Sequence, residues 1–501
     1  MKKLLFILLL ICQQSLAFNF NLSRPFKGNM MVSYSATADS IFSKWDLLGH
    51  SASAYYKGLV DDVVTHEITA GEWYNKDIFF FEAAEDTTQA LTDWRHPFTR
   101  MAHTEKYYSG AFTANVGWKG NGASSATTGF RINLMYNPGD GGTYNFKQNN
   151  NSFGYYSGTH NNEVKVDMSA LNASSVGSEL YSHGSTFSIS AKDCESTDAS
   201  VINFTNIGFI SCQRTASNAF EISKDGYDSY QGGAKPTTAS QAIASVTMYE
   251  FCRTVNGTKS SFSSKVHEYI TAGAKGNTFL SNSIVEQYAL IPLGIAPTTR
   301  IIFDGNSMIA QGYIPQYVLL SIGYNFDVLV RGVGGKTNSY LNNDARTTVF
   351  NKQKSYLSHE FIFLFENTNT MAGNSSNATT TYNDLVAWCD STRVYFPNDT
   401  ISVGTMLPRN AAQVNNAHRQ NDSNLNDTTT LNGMIRVKII RDKHCNRVCD
   451  VASDTLMGKT GQQTNTVYYS TDQIHPTSTI TTGGYKRVSD NYITQSIQAG
   501  L

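Results

Sequence analysis

The chain has 501 residues, of which 16% are charged, and a formal net charge of −1. That length exceeds what one hydrophobic core supports, so two or three domains are expected. The balance of 39 Lys and Arg against 40 Asp and Glu gives neither the basic excess of a nucleic-acid binder nor the acidic block of a disordered tail.

In chain order, Lys2-Lys3, an unbroken apolar run over 4–12 and the small residues of Ser15-Leu16-Ala17 form a signal-peptide pattern over 1–17. The run is too short to span a bilayer. Ile11 stands where a lipoprotein signal needs a small residue before Cys12. The expectation is a secreted or extracytoplasmic protein starting near Phe18, with no membrane span after cleavage and a place on a cell or particle surface. Six cysteines remain: Cys194, Cys212, Cys252, Cys389, Cys445 and Cys449. An even count in an exported chain permits disulfides. They split three and three across the expected domain boundary, so each half retains a thiol that is free or pairs across it. The Cys445-x-x-x-Cys449 spacing lacks a second cluster and is read as structural rather than metal-binding.

Residues 18–105 read as a leader with helical segments, the main one an amphipathic helix over 39–64 carrying Ile41, Trp45, Leu59 and Val63. From 106 to 295 the pattern changes to short aromatic or alternating runs between Gly, Asn and Ser clusters, at 129–134, 153–156, 186–190, 207–211 and 220–222. Such runs at turn-spaced intervals predict a β-sandwich, closed by a helix over 277–293. The leader resembles segments ahead of β-domains in phage and environmental-virus structural proteins, through the helical pattern from Trp45 to Val64 and the turn at 90–97. The sandwich resembles concanavalin-like jelly-roll domains of phage tail and adhesion proteins, through 151–157 and through 207–215 running into 220–224. That resemblance implies a polysaccharide-binding or spacer role. A sandwich core needs aromatics of its own, so no single tyrosine is assigned to a ligand.

After a linker at 297–300 the texture switches again. Apolar strands at 301–303, 326–330, 361–365, 401–403 and 448–451 alternate with helical stretches such as 383–390 and 431–441. Fully apolar strands alternating with helices predict a parallel sheet covered on both faces, with a ligand crevice beyond the carboxyl ends of its strands.

Those ends carry chemistry. Asp304-Gly305-Asn306-Ser307 closes the first strand and leads into a helix, which puts a hydroxyl beside a helix N-terminus. A serine in that place can equally be a helix cap. Arg331-Gly332-Val333-Gly334-Gly335-Lys336 follows the second strand, and Glu366-Asn367-Thr368-Asn369-Thr370 the third. Asp472 and His475 lie within one turn of each other near the C-terminus, so the carboxylate can orient an imidazole whose other nitrogen serves Ser307. The other histidines, His267 among them, have no comparable sequence partners and read as structural or exposed. No nucleotide loop or metal-binding histidine pair occurs, so neither cofactor nor metal is expected.

On these blocks the C-terminal part resembles the SGNH hydrolase (GDSL-type esterase/lipase) family. Gly305-Asn306-Ser307 matches the nucleophile block, Gly334-Gly335 the glycine block, Asn367-Thr368-Asn369-Thr370 the Gly-x-Asn-Asp block, and Asp472-x-x-His475-Pro476 the last block. The resemblance implies a flavodoxin-like three-layer α/β domain over 296–501. It implies Ser307, His475 and Asp472 as catalytic residues. For the oxyanion hole it implies Ser307, Gly335 (Gly334 in the alternative register) and Asn369. Three positions depart from the pattern: Asn306 for the usual Asp, Asn367 for the usual Gly and Thr370 for the final Asp. The function implied is an exported serine esterase acting on a small acyl ester or an acetylated glycan. The alternative is a glycan-binding, adhesion or virion protein whose hydrolase fold is weakly active or inactive.

Overall fold

In a computed structural model, residues 33–498 are described, apart from 106–109, 124, 141–143, 160–163, 184–187, 196–198, 203–206, 226, 229–238, 257 and 349–353. Residues 1–17, expected from their pattern to be a signal peptide, lie outside the described residues.

The chain is first organised by two serines. Ser35 and Ser53 accept hydrogen bonds from the backbone N–H of Ala38 and Tyr56, and so cap the helices Ala36–Leu47 and Ala54–Thr69. The single helix expected over 39–64 is therefore two, separated at Gly49, whose φ of 79° is left-handed. The leader does not stand apart from the sandwich. Its strand Lys76–Phe81 pairs antiparallel with Tyr269–Gly273. Its helices bury Ile41, Trp45, Val60 and Val63 in the same core as Phe153, Met168, Leu180 and Phe209. A strand this apolar needs a sheet edge, and the edge lies almost 200 residues later, where local patterning cannot see it.

Among the described residues, that core lies between a six-stranded and a nine-stranded sheet, both mostly antiparallel. In the first, Asn151–Ser157 runs between Tyr269–Gly273 and Gly208–Ala216. In the second, Val164–Leu171, Gly177–His183 and Ser188–Glu195 follow one another as a meander. The closing helix Thr278–Val285 continues into a wider-wound π-helical turn, Glu286–Leu290.

The C-terminal half holds a five-stranded sheet, parallel throughout. Thr299–Gly305 lies between Asp327–Gly332 and His359–Phe365, followed outward by Thr400–Gly404 and Arg447–Cys449. Numbered along the chain the order is 2-1-3-4-5, a doubly wound order whose direction reverses beside the first strand. The period-2 geometry of a strand explains its apolar sequence. Ile301 and Phe303 face a core with Val318 and Tyr492, while Ile302 faces another with Leu385 and Trp388. Complete burial of a side chain such as Phe303 contributes about 1.5–3 kcal/mol.

A buried charge network joins the two halves. Lys224 Nζ donates to Asp327 at 3.0 Å and to its neighbour Asp225 at 2.5 Å. Lys354 Nζ reaches Asp327 at 2.9 Å and Glu286 at 2.8 Å. Burial opposes charge at Asp327, but Lys354 and Lys224 outweigh it and hold the carboxyl well below its usual range. All six described cysteines are buried free thiols. Among the described residues, no helix is long and apolar enough to cross a membrane.

Replacing Lys354 by Met keeps the stem but leaves Glu286 and Asp327 facing each other in a dry interface. The expected outcome is a loss of about 3–5 kcal/mol in a urea unfolding titration.

Candidate functional site

The turn after the first parallel strand is built for close approach. A Cβ on Gly305 would lie 2.5 Å from the carbonyl oxygen of Phe365, and one on Gly332 would lie 2.1 Å from the backbone nitrogen of Ala310. Only glycines let the neighbouring strand ends and the helix Ser307–Ala310 come together. Beneath the turn, buried Asp304 accepts from Arg331 at 2.9 Å and from the Trp388 indole at 3.0 Å. The cap of the short helix is Asn306, whose side chain accepts from the Met308 N–H at 2.9 Å. Ser307 is thus relieved of capping, and its hydroxyl lies 2.7 Å from His475 Nε2.

His475 Nδ1 lies 2.6 Å from Asp472 Oδ2. An ionised carboxylate only accepts, so Nδ1 carries the proton and Nε2 is left to accept from the Ser307 hydroxyl. The other oxygen of Asp472 accepts from the backbone N–H of Ile474 and His475 and from the Ser470 hydroxyl. Partial burial works against the charged form. The hydrogen bonds from Ser470, His475 and Ile474 outweigh it and hold the Asp472 carboxyl well below the usual carboxylate range. The loop is closed by Ser470 N–H to the His475 carbonyl at 2.8 Å, with Gln473 at a left-handed φ of 58°. Its place is fixed by the helix Gly484–Tyr492, where Ser489 donates to the Ile314 carbonyl and Tyr485 to Gln311.

Of the two expected donor loops, the glycine turn lies beside the serine and the Asn369 loop borders that turn. A tight turn runs from Val333 to Lys336, closed by an N–H to carbonyl bond of 3.2 Å. Within it Gly335 has a φ of 74°, and a Cβ on Gly334 would lie 4.0 Å from that of Ser307. Asn369 donates from Nδ2 to the carbonyl of Lys336 at 3.2 Å, so its amide borders this turn. Its Oδ1 accepts from Arg409 at 3.1 Å. Arginine has no acceptor, so this contact fixes which end of the Asn369 amide is NH2 and leaves its second N–H available.

The three departures from the family pattern find local reasons. Asn367 has φ 81° and ψ −24°, the left-handed region that favours glycine and that asparagine tolerates best among other residues. Its side chain bonds Gly404 and Asn338. Asn306 caps, as described. Thr370 accepts from the Asn338 N–H at 2.8 Å and donates its own hydroxyl to Glu366.

Glu366 is the residue that sequence reasoning passed over. It is 2% exposed at the end of His359–Phe365. It accepts from the N–H groups of Asn367, Asn369 and Thr370, from the Thr370 hydroxyl and from the Asn306 amide. Burial pushes its pKa up, against these bonds. Arg409, which holds the Asn369 amide, was passed over as well. The signal for Glu366 was a charged residue directly after an apolar strand run.

An open groove of about 410 Å³ borders the triad, lined by Gln311, Tyr313, Asp472, His475 and Thr479 among others. In chemical terms the site offers a hydroxyl with a base 2.7 Å away, an oriented imidazole, and backbone and amide donors beside them.

No family model matches the sequence, and no curated protein matches it. Among solved structures the chain is similar to a member of the lipolytic protein G-D-S-L family from Veillonella parvula, at 15% identity over 39% of this chain and 97% of that one, with a TM-score of 0.29. It is similar to a Clostridium thermocellum family 3 carbohydrate esterase, at 17% identity over 40% and 96% of the two chains, with a TM-score of 0.28. It is also similar to an acetyl xylan esterase from Geobacillus stearothermophilus, at 14% identity over 40% and 94%, with a TM-score of 0.28.

Glu366→Gln would turn an NH2 group toward backbone donors, whichever oxygen it replaces. Breaking charge-assisted bonds at a buried site is expected to lower unfolding stability by about 2–4 kcal/mol, measured by urea titration.

Proposed function

We propose that the C-terminal half is a serine esterase. The observation that carries this reading is the row Ser307 Oγ, His475 Nε2 and Nδ1, Asp472 Oδ2, with contacts of 2.7 and 2.6 Å, at the carboxyl end of a parallel sheet. Ser307 attacks the ester carbonyl carbon while its proton passes to His475. The oxyanion that forms is met by N–H groups of Ser307 and Gly335 and by the Asn369 amide. His475 then gives the proton to the leaving alcohol, and the acyl group stays on Ser307. Water, deprotonated by His475, attacks the acyl carbon and restores the serine. Asp472 remains ionised throughout, which its hydrogen bonds favour. Removing a single oxyanion donor typically costs about 3 kcal/mol of transition-state stabilisation.

The substrate class we propose is a small O-acyl group on a carbohydrate, O-acetyl first. Support comes from the groove: it is open, and hydroxyl and amide groups of Gln311, Tyr313, Ser470, Thr477 and Thr479 line it. A long acyl chain needs an apolar channel instead. Export of the chain belongs to the same proposal, as the signal-peptide pattern over 1–17 supports it.

The test is hydrolysis of 4-nitrophenyl acetate and butyrate, followed by release of acetate from acetylated glycans. Acetate is expected to be the better ester. Ser307→Ala and His475→Ala are each expected to lower kcat about 10^4-fold or more, and Asp472→Asn to do nearly as much. Turnover unchanged by Ser307→Ala would overturn the reading. Arg409→Leu is expected to lower kcat about 10-fold with little change in KM, because it frees the Asn369 amide to rotate while leaving the groove in place.

A further inference from the structure

The β-rich half contains a second constellation that the esterase chemistry does not use. Glu82 follows the strand Lys76–Phe81, Glu250 lies on Tyr249–Glu250, and His267 on Val266–His267. All three are at most 1% exposed. One potential ligand atom from each lies within 4.8 Å of the others. That is close to the span of two bonds of about 2.0–2.4 Å to one divalent ion.

The imidazole is held in one orientation. The rings of Tyr155 and Phe251 stack on it, each with its centroid 4.3 Å away. Nδ1 lies 2.7 Å from Glu250 Oε1 and faces the carboxylates. Nε2 lies 3.5 Å from Asp167 Oδ1. Asp167 is itself anchored by Lys265 at 3.0 Å, Tyr155 at 2.5 Å and Ser263 at 2.7 Å. The contact between Nε2 and Asp167 is too long for a direct hydrogen bond, and His267 Nε2 is itself a buried polar atom that meets no partner. A Cβ on Gly117 would stand 2.1 Å from the His267 carbonyl, so only a glycine allows this close approach of the two paired strands.

The carboxyls of Glu82 and Glu250 need either protons or a cation to be stable in this interior. Lys265 balances Asp167. Glu82 and Glu250 have no Lys or Arg partner in the ion pairs of the described residues. Their Oε2 atoms are buried and meet no hydrogen-bond donor. Unpartnered carboxylate oxygens in a dry interior are costly, and two carboxylates with one imidazole neutralise a divalent ion.

We propose that Glu82, Glu250 and His267 form a structural metal site that binds one divalent ion of the zinc or manganese class through two carboxylates and an imidazole. The mixed oxygen and nitrogen donors favour these ions over calcium or magnesium, which prefer all-oxygen shells. The ion would tie together three strands from distant parts of the chain. It lies in the other half from Ser307 and plays no part in ester hydrolysis.

The test uses the full mature chain, purified without chelator and with any affinity tag removed. Elemental analysis should find about one zinc or manganese per chain. Dipicolinate should remove it and lower Tm by about 5–10 °C, and ZnCl2 or MnCl2 should restore both. Glu82→Gln and Glu250→Gln should lose the ion and the Tm response. Turnover by the Ser307 site at 25 °C should change less than 2-fold on metal removal. The proposal is overturned if wild-type protein, refolded with each metal, binds less than 0.1 ion per chain with no change in Tm. In that case the carboxyls share protons. It is equally overturned if the ion stays bound in both Gln variants and in His267→Ala. The wild-type measurement decides the matter even where a variant fails to fold.

Discussion

The site depends on one buried carboxylate. Glu366 stands at the end of the third strand of the parallel sheet and gathers hydrogen bonds from Asn306 on one side and from Asn367, Asn369 and Thr370 on the other. It therefore couples the residue before Ser307 to the residue whose amide borders the glycine turn. A side chain buried this deeply is stable as an anion only while those donors surround it, so the donors are held as firmly as the carboxylate. Such mutual constraint holds the turn before Ser307 and the Asn369 loop at a fixed separation.

The arrangement of the two halves serves the same end. The buried lysines Lys224 and Lys354 meet the sheet at Asp327, the first residue of the strand Asp327–Gly332. The glycine turn lies just beyond the other end of that strand, and six residues of strand span about 20 Å. The β-rich half thus docks on the amino ends of the sheet, and the crevice at the carboxyl ends stays open. Charge pairing in a dry interface fixes this orientation more than it adds stability, because desolvation offsets much of the attraction.

Much of this was legible in the sequence, for identifiable reasons. The parallel strands announced themselves as apolar runs because both faces are buried, as at Ile301, Ile302 and Phe303. The loops carrying Ser307 and Asn369 could be placed because each follows a strand end, and His475 stood out through Asp472 three residues before it. The break at Gly49 was not legible, because apolar spacing continues across it. Nor was the merging of residues 36–104 with the sandwich, since it rests on pairing with a strand near 270. Glu366 and Arg409 act through contacts 60 and 40 residues away along the chain, to Asn306 and Asn369, and no local motif encodes these. His267 looked isolated for the same reason: its partners Asp167 and Glu250 lie on other strands.

The most direct test of the central claim is covalent labelling with a fluorophosphonate, read by intact mass and peptide mapping. A hydroxyl activated by His475 should take up one phosphonyl group per chain on Ser307, at a rate that falls by at least about 100-fold in His475→Ala. Protein that stays unlabelled, or that is labelled at another residue at the same rate with and without His475, would contradict the account.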